Sequence, residues 1–152
     1  MARVAIVMGS GKDRPTMQKA ADTLDLFDVG WDMRVLSAHK TPDDALEFAS
    51  KASDTYSVII AGAGKAAHLA GVMAAKTTLP VIGVPLSASL DGMDALLATV
   101  QMPTGIPVAT VAIDGATNAA LLAVAILALS DARLGAGLRQ YREELRRQTL
   151  DG

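Results

Sequence analysis

Five short runs rich in β-branched residues recur along the chain: Val4 to Met8, Met33 to Leu36, Val58 to Ala61, Val81 to Val84 and Val108 to Ile113. Each is nearly continuous in apolar character. A strand with one wet face must alternate apolar and polar residues, so unbroken runs predict strands covered on both faces, as in a parallel sheet. Helical stretches separate the runs. The order βαβαβαβαβ predicts an α/β fold, a doubly wound, flavodoxin-like open sheet of five parallel strands in three αβα layers, followed by extra C-terminal helices.

The first helix is expected from about Pro15 to Phe27, with Asp13 or Arg14 near its start and Met17, Ala20, Ala21 and Leu24 on its buried face. The second follows Thr41, an expected N-cap, with Pro42 in the first turn and Asp43 and Asp44 beside the positive end of the helix dipole. Two more are expected near Ala66 to Ala75 and Asp91 to Val100, with Asp91 or Asp94 capping the latter. Ala116 to Leu129 is almost wholly apolar and reads as a helix buried on all sides. In so small a domain such a helix predicts packing against another subunit, hence a homo-oligomer. Ala132 to Thr149 is amphipathic and arginine-rich, with Gly135 and Gly137 placed to bend or restart it, and Asp151-Gly152 is expected to fray.

The 152 residues suit one domain, 1–152, with a substantial core. Only 3% are aromatic, so small aliphatic side chains must fill it. Fourteen basic and sixteen acidic residues leave a formal charge of -2, which gives no global attraction to nucleic acid or to an anionic membrane. With no cysteine there is no disulfide or thiolate chemistry, a composition that fits the cytoplasm. Two histidines, at 39 and 68, without an HExxH-like spacing argue against a metal site. The start, Met1 to Ser10, is interrupted by glycine too early for a signal peptide, and Ala119 to Leu129 is too short to span a bilayer.

In a doubly wound sheet the loops after the strands converge on one crevice. The first is Gly9 to Asp13, where glycines free the backbone and a helix start presents amide donors to an anion. It is neither a P-loop nor a full GxGxxG fingerprint, and an ordinary strand-to-helix turn reads the same way. The second, Ser37 to Thr41, carries His39, an imidazole suited to taking or giving a proton near neutral pH, beside Lys40 and two hydroxyls that suit phosphate. A lone histidine more often bonds to backbone, but this one sits where the crevice should be. The third, Ala61 to Gly71, is a run of small residues around Lys65 and His68 that lets main chain approach a ligand, or serves tight helix packing. A further loop, Pro85 to Gly92, brings Ser87 and Ser89 to cover the crevice.

Taken together, these segments resemble the class I N5-carboxyaminoimidazole ribonucleotide mutases, the PurE family. GSxSD stands here as Gly9 to Asp13, SAHRTP as Ser37 to Pro42, AGxxxAAHLPG as Ala61 to Gly71, LPVIGVP as Leu79 to Pro85, QMPxGxPVATVA as Gln101 to Ala112, and NAALLA as Asn118 to Ala123. The resemblance covers nearly the whole chain. It implies a homo-octamer with sites at subunit contacts, no metal or organic cofactor, and a carbamate-bearing ribonucleotide whose carboxylate leaves as trapped carbon dioxide and is added to ring carbon four. The family's proton-shuttling histidine maps to His39. Ser10, Lys12, Asp13, Ser37 and Lys40 map to the phosphate and ribose side. Ala63, Gly64, Lys65, Ala66, His68 and Leu69 map to the loop around the base and carbon dioxide.

The departures are Lys12 for the second serine, Arg14 for a tryptophan, Lys40 for the arginine and Ala70 for a proline. Lysine offers a point charge where arginine offers a bidentate fork. SAHK is also the pattern of the class II relatives, which carboxylate aminoimidazole ribonucleotide directly with free carbon dioxide, although their GRSN-like third loop is not present here. The runner-up expectations are therefore that carboxylase, or a nucleotide-binding homologue without turnover.

Overall fold

The strands form because their runs of Val, Ile and Ala bury side chains on both faces of one sheet. The computed structural model describes residues 3–152, so Met1 and Ala2, which open both the expected domain and the N-terminal stretch read against a signal peptide, lie outside it. β1 spans Arg3–Met8, β2 Gly30–Val35, β3 Val58–Gly64, β4 Val81–Leu86 and β5 Ala109–Thr110. All pair in parallel, in the order β2-β1-β3-β4-β5. This is the doubly wound, flavodoxin-like sheet expected from the order of elements.

Alternate residues of each strand feed separate cores. Val4, Ile6 and Met8 of β1, Val58 and Ile60 of β3 and Ile82, Val84 and Leu86 of β4 face α1 (Arg14–Leu26) and α5 (Ala116–Leu127). Ala5, Val7, Ile59, Ala61 and Val81 face α2 (Pro42–Lys51) and α3 (Leu69–Lys76). α4 (Met93–Val100) covers β4 on that second side, where Gly83 makes room for Thr99 and Ala70. α6 (Ala132–Asp151) packs against α5 and reaches the C-terminal end of α1: Asp131 caps it by accepting from the Arg133 amide at 3.0 Å, and the Arg133 guanidinium donates to the Phe27 carbonyl at 2.8 Å.

Several boundaries differ from the sequence expectation, each for a local reason. β2 starts at Gly30 and stops before Leu36; as an edge strand it carries Asp32 and Arg34, which mask its apolar pattern. Asp32 is satisfied there by Arg3 at 2.7 Å and the Tyr56 hydroxyl at 2.8 Å. β5 keeps only two residues of Val108 to Ile113. The Val111 amide bonds to Gly83 and that of Asp114 to Pro85, so three steps of this segment match two of β4 and the ladder loses register.

α3 begins at Leu69 rather than Ala66, because Lys65 takes φ +54° and tight turns follow it. α4 begins at Met93, since Asp91 (φ +53°) and Gly92 (φ +83°) are left-handed; neither Asp91 nor Asp94 caps it. Thr41 is the N-cap residue of α2 as expected, but its side chain makes no capping bond, its hydroxyl being spent on Ser37. Gly135 and Gly137 lie within an unbroken α6, Gly137 letting Phe27 approach, and Asp151 remains helical. α5 is not buried on all sides: Ala116, Ala119, Ala120, Ala123, Val124 and Leu127 are covered, but Leu122 is exposed on its outer face. No helix among the described residues is long and apolar enough to cross a membrane.

Candidate active site

The strand order places a switch point between β1 and β3: the chain runs outward from β1 to β2, then returns over β1 to β3. At such a point the loops leaving adjacent strands part and leave a crevice at the carboxyl ends. A cavity of about 490 Å³ lies there. Its lining comes from the loop after β1 (Gly9, Ser10, Lys12, Asp13), the loop after β2 (Ser37, Ala38, His39, Lys40), the end of β3 with the turn into α3 (Ala63, Gly64, Lys65, Ala66, His68, Leu69), and Ala88 after β4. All twelve candidate residues read from the sequence meet around this one space.

The two histidines, 29 residues apart in sequence, touch. His39 Nε2 and His68 Nδ1 are 2.7 Å apart, with rings edge-on at 73° and centroids 4.7 Å apart. A hydrogen bond between imidazoles needs one N–H and one lone pair, so the pair holds a single proton between the two nitrogens. Sequence reading placed both residues in the crevice and missed the contact. Only the parallel pairing of β1 with both β2 and β3 carries the two loops to the same spot.

Local hydrogen bonds preset the flanking groups. Ser37 is locked in a turn: its amide donates to Thr41 Oγ1 (2.9 Å), its Oγ accepts from the Lys40 amide (3.0 Å), and its carbonyl accepts from the Thr41 hydroxyl (3.1 Å). Ser10 Oγ accepts from the Lys12 amide at 3.2 Å, which leaves its hydroxyl proton free to donate into the cavity. Lys12, Lys40 and Lys65 put three cationic side chains around the opening. That suits an anion. Burial pushes the Asp13 carboxyl above its usual range; a backbone hydrogen bond at Ser10 pulls it down, and the Asp114 charge adds to the rise.

Gly64 and Ala88 close the far wall. A Cβ on Gly64 would stand 2.7 Å from that of Ala88 and 3.3 Å from the Leu86 carbonyl oxygen, so the absent side chain is what lets the two loops meet. Gly9, Ala38 and Ala88 join the lining although sequence reading did not single them out; all three fall inside motifs or loops it did name. Asp114 was missed altogether. Its only sequence signal is an acidic residue before glycine just after the last strand. Among the described residues no cluster of three or more His, Asp or Glu side chains is arranged to hold a metal.

A family model described as AIR carboxylase matches residues 3–148. The chain belongs to the AIR carboxylase family. A relative from Pyrococcus abyssi named N5-carboxyaminoimidazole ribonucleotide mutase is 54% identical over 149 residues, covering 97% of this chain and 86% of that protein. One of the same name from Brucella melitensis is 56% identical over 144 residues, 92% of this chain and 89% of that protein. Among solved structures, Treponema denticola PurE superposes with a TM-score of 0.90 at 29% identity, covering 99% of this chain and 96% of that one. The family relationship thus runs through all four loops that line the cavity, and it places the chain among enzymes of carboxyl transfer.

Proposed function

We propose that the chain is a PurE-type mutase of purine biosynthesis, converting N5-carboxyaminoimidazole ribonucleotide to its 4-carboxy isomer in a cytoplasmic homo-octamer without metal or organic cofactor. The observation that carries this reading is the His39–His68 pair in the lining of a cavity that also carries lysines and hydroxyls. An isomerisation that moves a carboxylate from nitrogen to carbon consumes one proton and releases another. The bond between the carboxyl carbon and the exocyclic nitrogen breaks as that nitrogen gains a proton, carbon dioxide forms, and ring carbon four attacks it and loses its own proton. One base that gives and recovers a proton at a single place meets that demand, and His39 is the residue assigned to it.

The other groups divide by chemistry. Ser10, Lys12, Ser37 and Lys40 hold phosphate through hydroxyls, amides and cationic charge, while Asp13 accepts ribose hydroxyls. Ala63, Gly64, Lys65, Ala66, His68 and Leu69 surround the base and the carbon dioxide, and the small Ala63, Gly64 and Ala66 favour a close wall that retains the gas. The apolar outer face of α5 supports assembly of several copies. Lys40 favours a second reading, direct carboxylation of aminoimidazole ribonucleotide by free carbon dioxide.

A spectrophotometric assay with both substrates tests these assignments. The mutase should consume the carbamate without added bicarbonate, and His39→Asn should lower kcat by about 100-fold or more. Activity only on aminoimidazole ribonucleotide with bicarbonate would assign the carboxylase instead. Tight ligand binding with no turnover, unchanged in His39→Asn, would leave a binding homologue.

A further inference from the structure

Asp114 lies outside the cavity lining, yet it makes two bonds to the strand end that carries Ala88. Its amide donates to the Pro85 carbonyl at 2.8 Å, and its Oδ1 accepts from the Ser87 amide at 2.9 Å. The Ala88 amide then donates back to the Leu86 carbonyl at 3.0 Å, so Ser87 and Ala88 form a tight turn hung on the Asp114 carboxylate. That turn rests on Gly64 with no room for another methyl group.

Asp114 itself has φ +59°, a left-handed conformation that glycine or asparagine adopts more easily. An aspartate held there contributes its carboxylate at some conformational cost. Its charge also raises the proton affinity of Asp13, a cavity-lining residue.

We infer that Asp114 is a positioning residue of this site, clamping the Ser87–Ala88 turn onto Gly64 and so setting the wall against which the base of the ribonucleotide packs. The identity of that ligand rests on the mutase reading; the clamp does not. Two variants separate the clamp from a general structural role. Asp114→Gly suits the left-handed backbone but removes the acceptor, whereas Asp114→Asn suits it and keeps Oδ1.

Amide hydrogen exchange of the full-length protein should be faster at Ser87 and Ala88 in Asp114→Gly and near wild type in Asp114→Asn. In the same preparations, KM for the carbamate substrate should rise about tenfold in Asp114→Gly with kcat changed less than about threefold, and Asp114→Asn should restore KM to within about twofold. Unchanged exchange in Asp114→Gly overturns the clamp, whatever the enzyme turns over. Faster exchange with unchanged KM overturns its role in the site, as does an Asn variant as impaired as the Gly variant. A wild type that exchanges as described but converts no substrate refutes the mutase reading instead.

Discussion

Gly64→Ala probes the closest approach in the site. The backbone there is not left-handed, so alanine meets no conformational penalty and the effect comes from space alone. The new methyl would sit 2.7 Å from Ala88 Cβ and 3.3 Å from the Leu86 oxygen. Ordinary carbon contacts lie near 3.5–4.0 Å, so the Ala88 turn must retreat by about 1 Å. Overpacking of this size costs about 1–3 kcal/mol, and at about 2–4 °C per kcal/mol for a chain of this length Tm should fall by roughly 2–12 °C.

Activity should suffer more than stability, because a misplacement of about 1 Å in a positioning wall can cost on the order of 100-fold. Steady-state kinetics on the carbamate substrate and thermal unfolding by circular dichroism measure the two effects. The decisive arm is the double variant Gly64→Ala/Ala88→Gly, which removes the colliding carbon and leaves only the tolerable 3.3 Å approach to Leu86. It should recover most of the lost kcat/KM. Full activity in Gly64→Ala, or no recovery in the double variant, would refute the reasoning.

Removing His68 should disable proton handling without unfolding the protein, since its side chain is exposed: His68→Phe should keep Tm within about 2 °C while kcat falls about 10- to 100-fold, read by melting and turnover. Asp13 carries a carboxyl whose affinity for its proton is raised on folding, so the stability this confers is present below about pH 3.8 and lost as pH rises through the folded value. Asp13→Asn should therefore raise Tm at pH 7, with the gain shrinking towards pH 4 in a series of melts, even as substrate binding weakens. Burial, and then the hydrogen bond to Asp32, push the Tyr56 hydroxyl upward, so its stabilising proton is retained below pH 10 and lost as pH climbs through the folded value. Tyr56→Phe should lose about 1 kcal/mol at pH 7 in urea titrations and show less alkaline destabilisation than wild type.

The central strands were legible because burial on both faces writes a continuous apolar run, as in Val4 to Met8 and Val81 to Val84. The edges were harder. In β2 polar residues on an exposed rim interrupt the run, and in β5 an apolar run continues past the point where its ladder fails. Helix starts at Leu69 and Met93 were shifted by left-handed residues, Lys65 and Asp91, that carry no glycine signature. α5 looked wholly buried because composition cannot tell a face turned to the sheet from one turned outward.

From the sequence came the fold class and the loops that bear chemistry, because strand periodicity and local residue chemistry are short-range properties; the twelve residues drawn around the cavity were picked out within those loops by the resemblance to the PurE family. The contact between His39 and His68, the meeting of Gly64 with Ala88 and the bond from Asp114 to Ser87 belong to tertiary structure. Each joins segments more than twenty residues apart, and the distance between them depends on strand order, register and backbone dihedrals that no local pattern records.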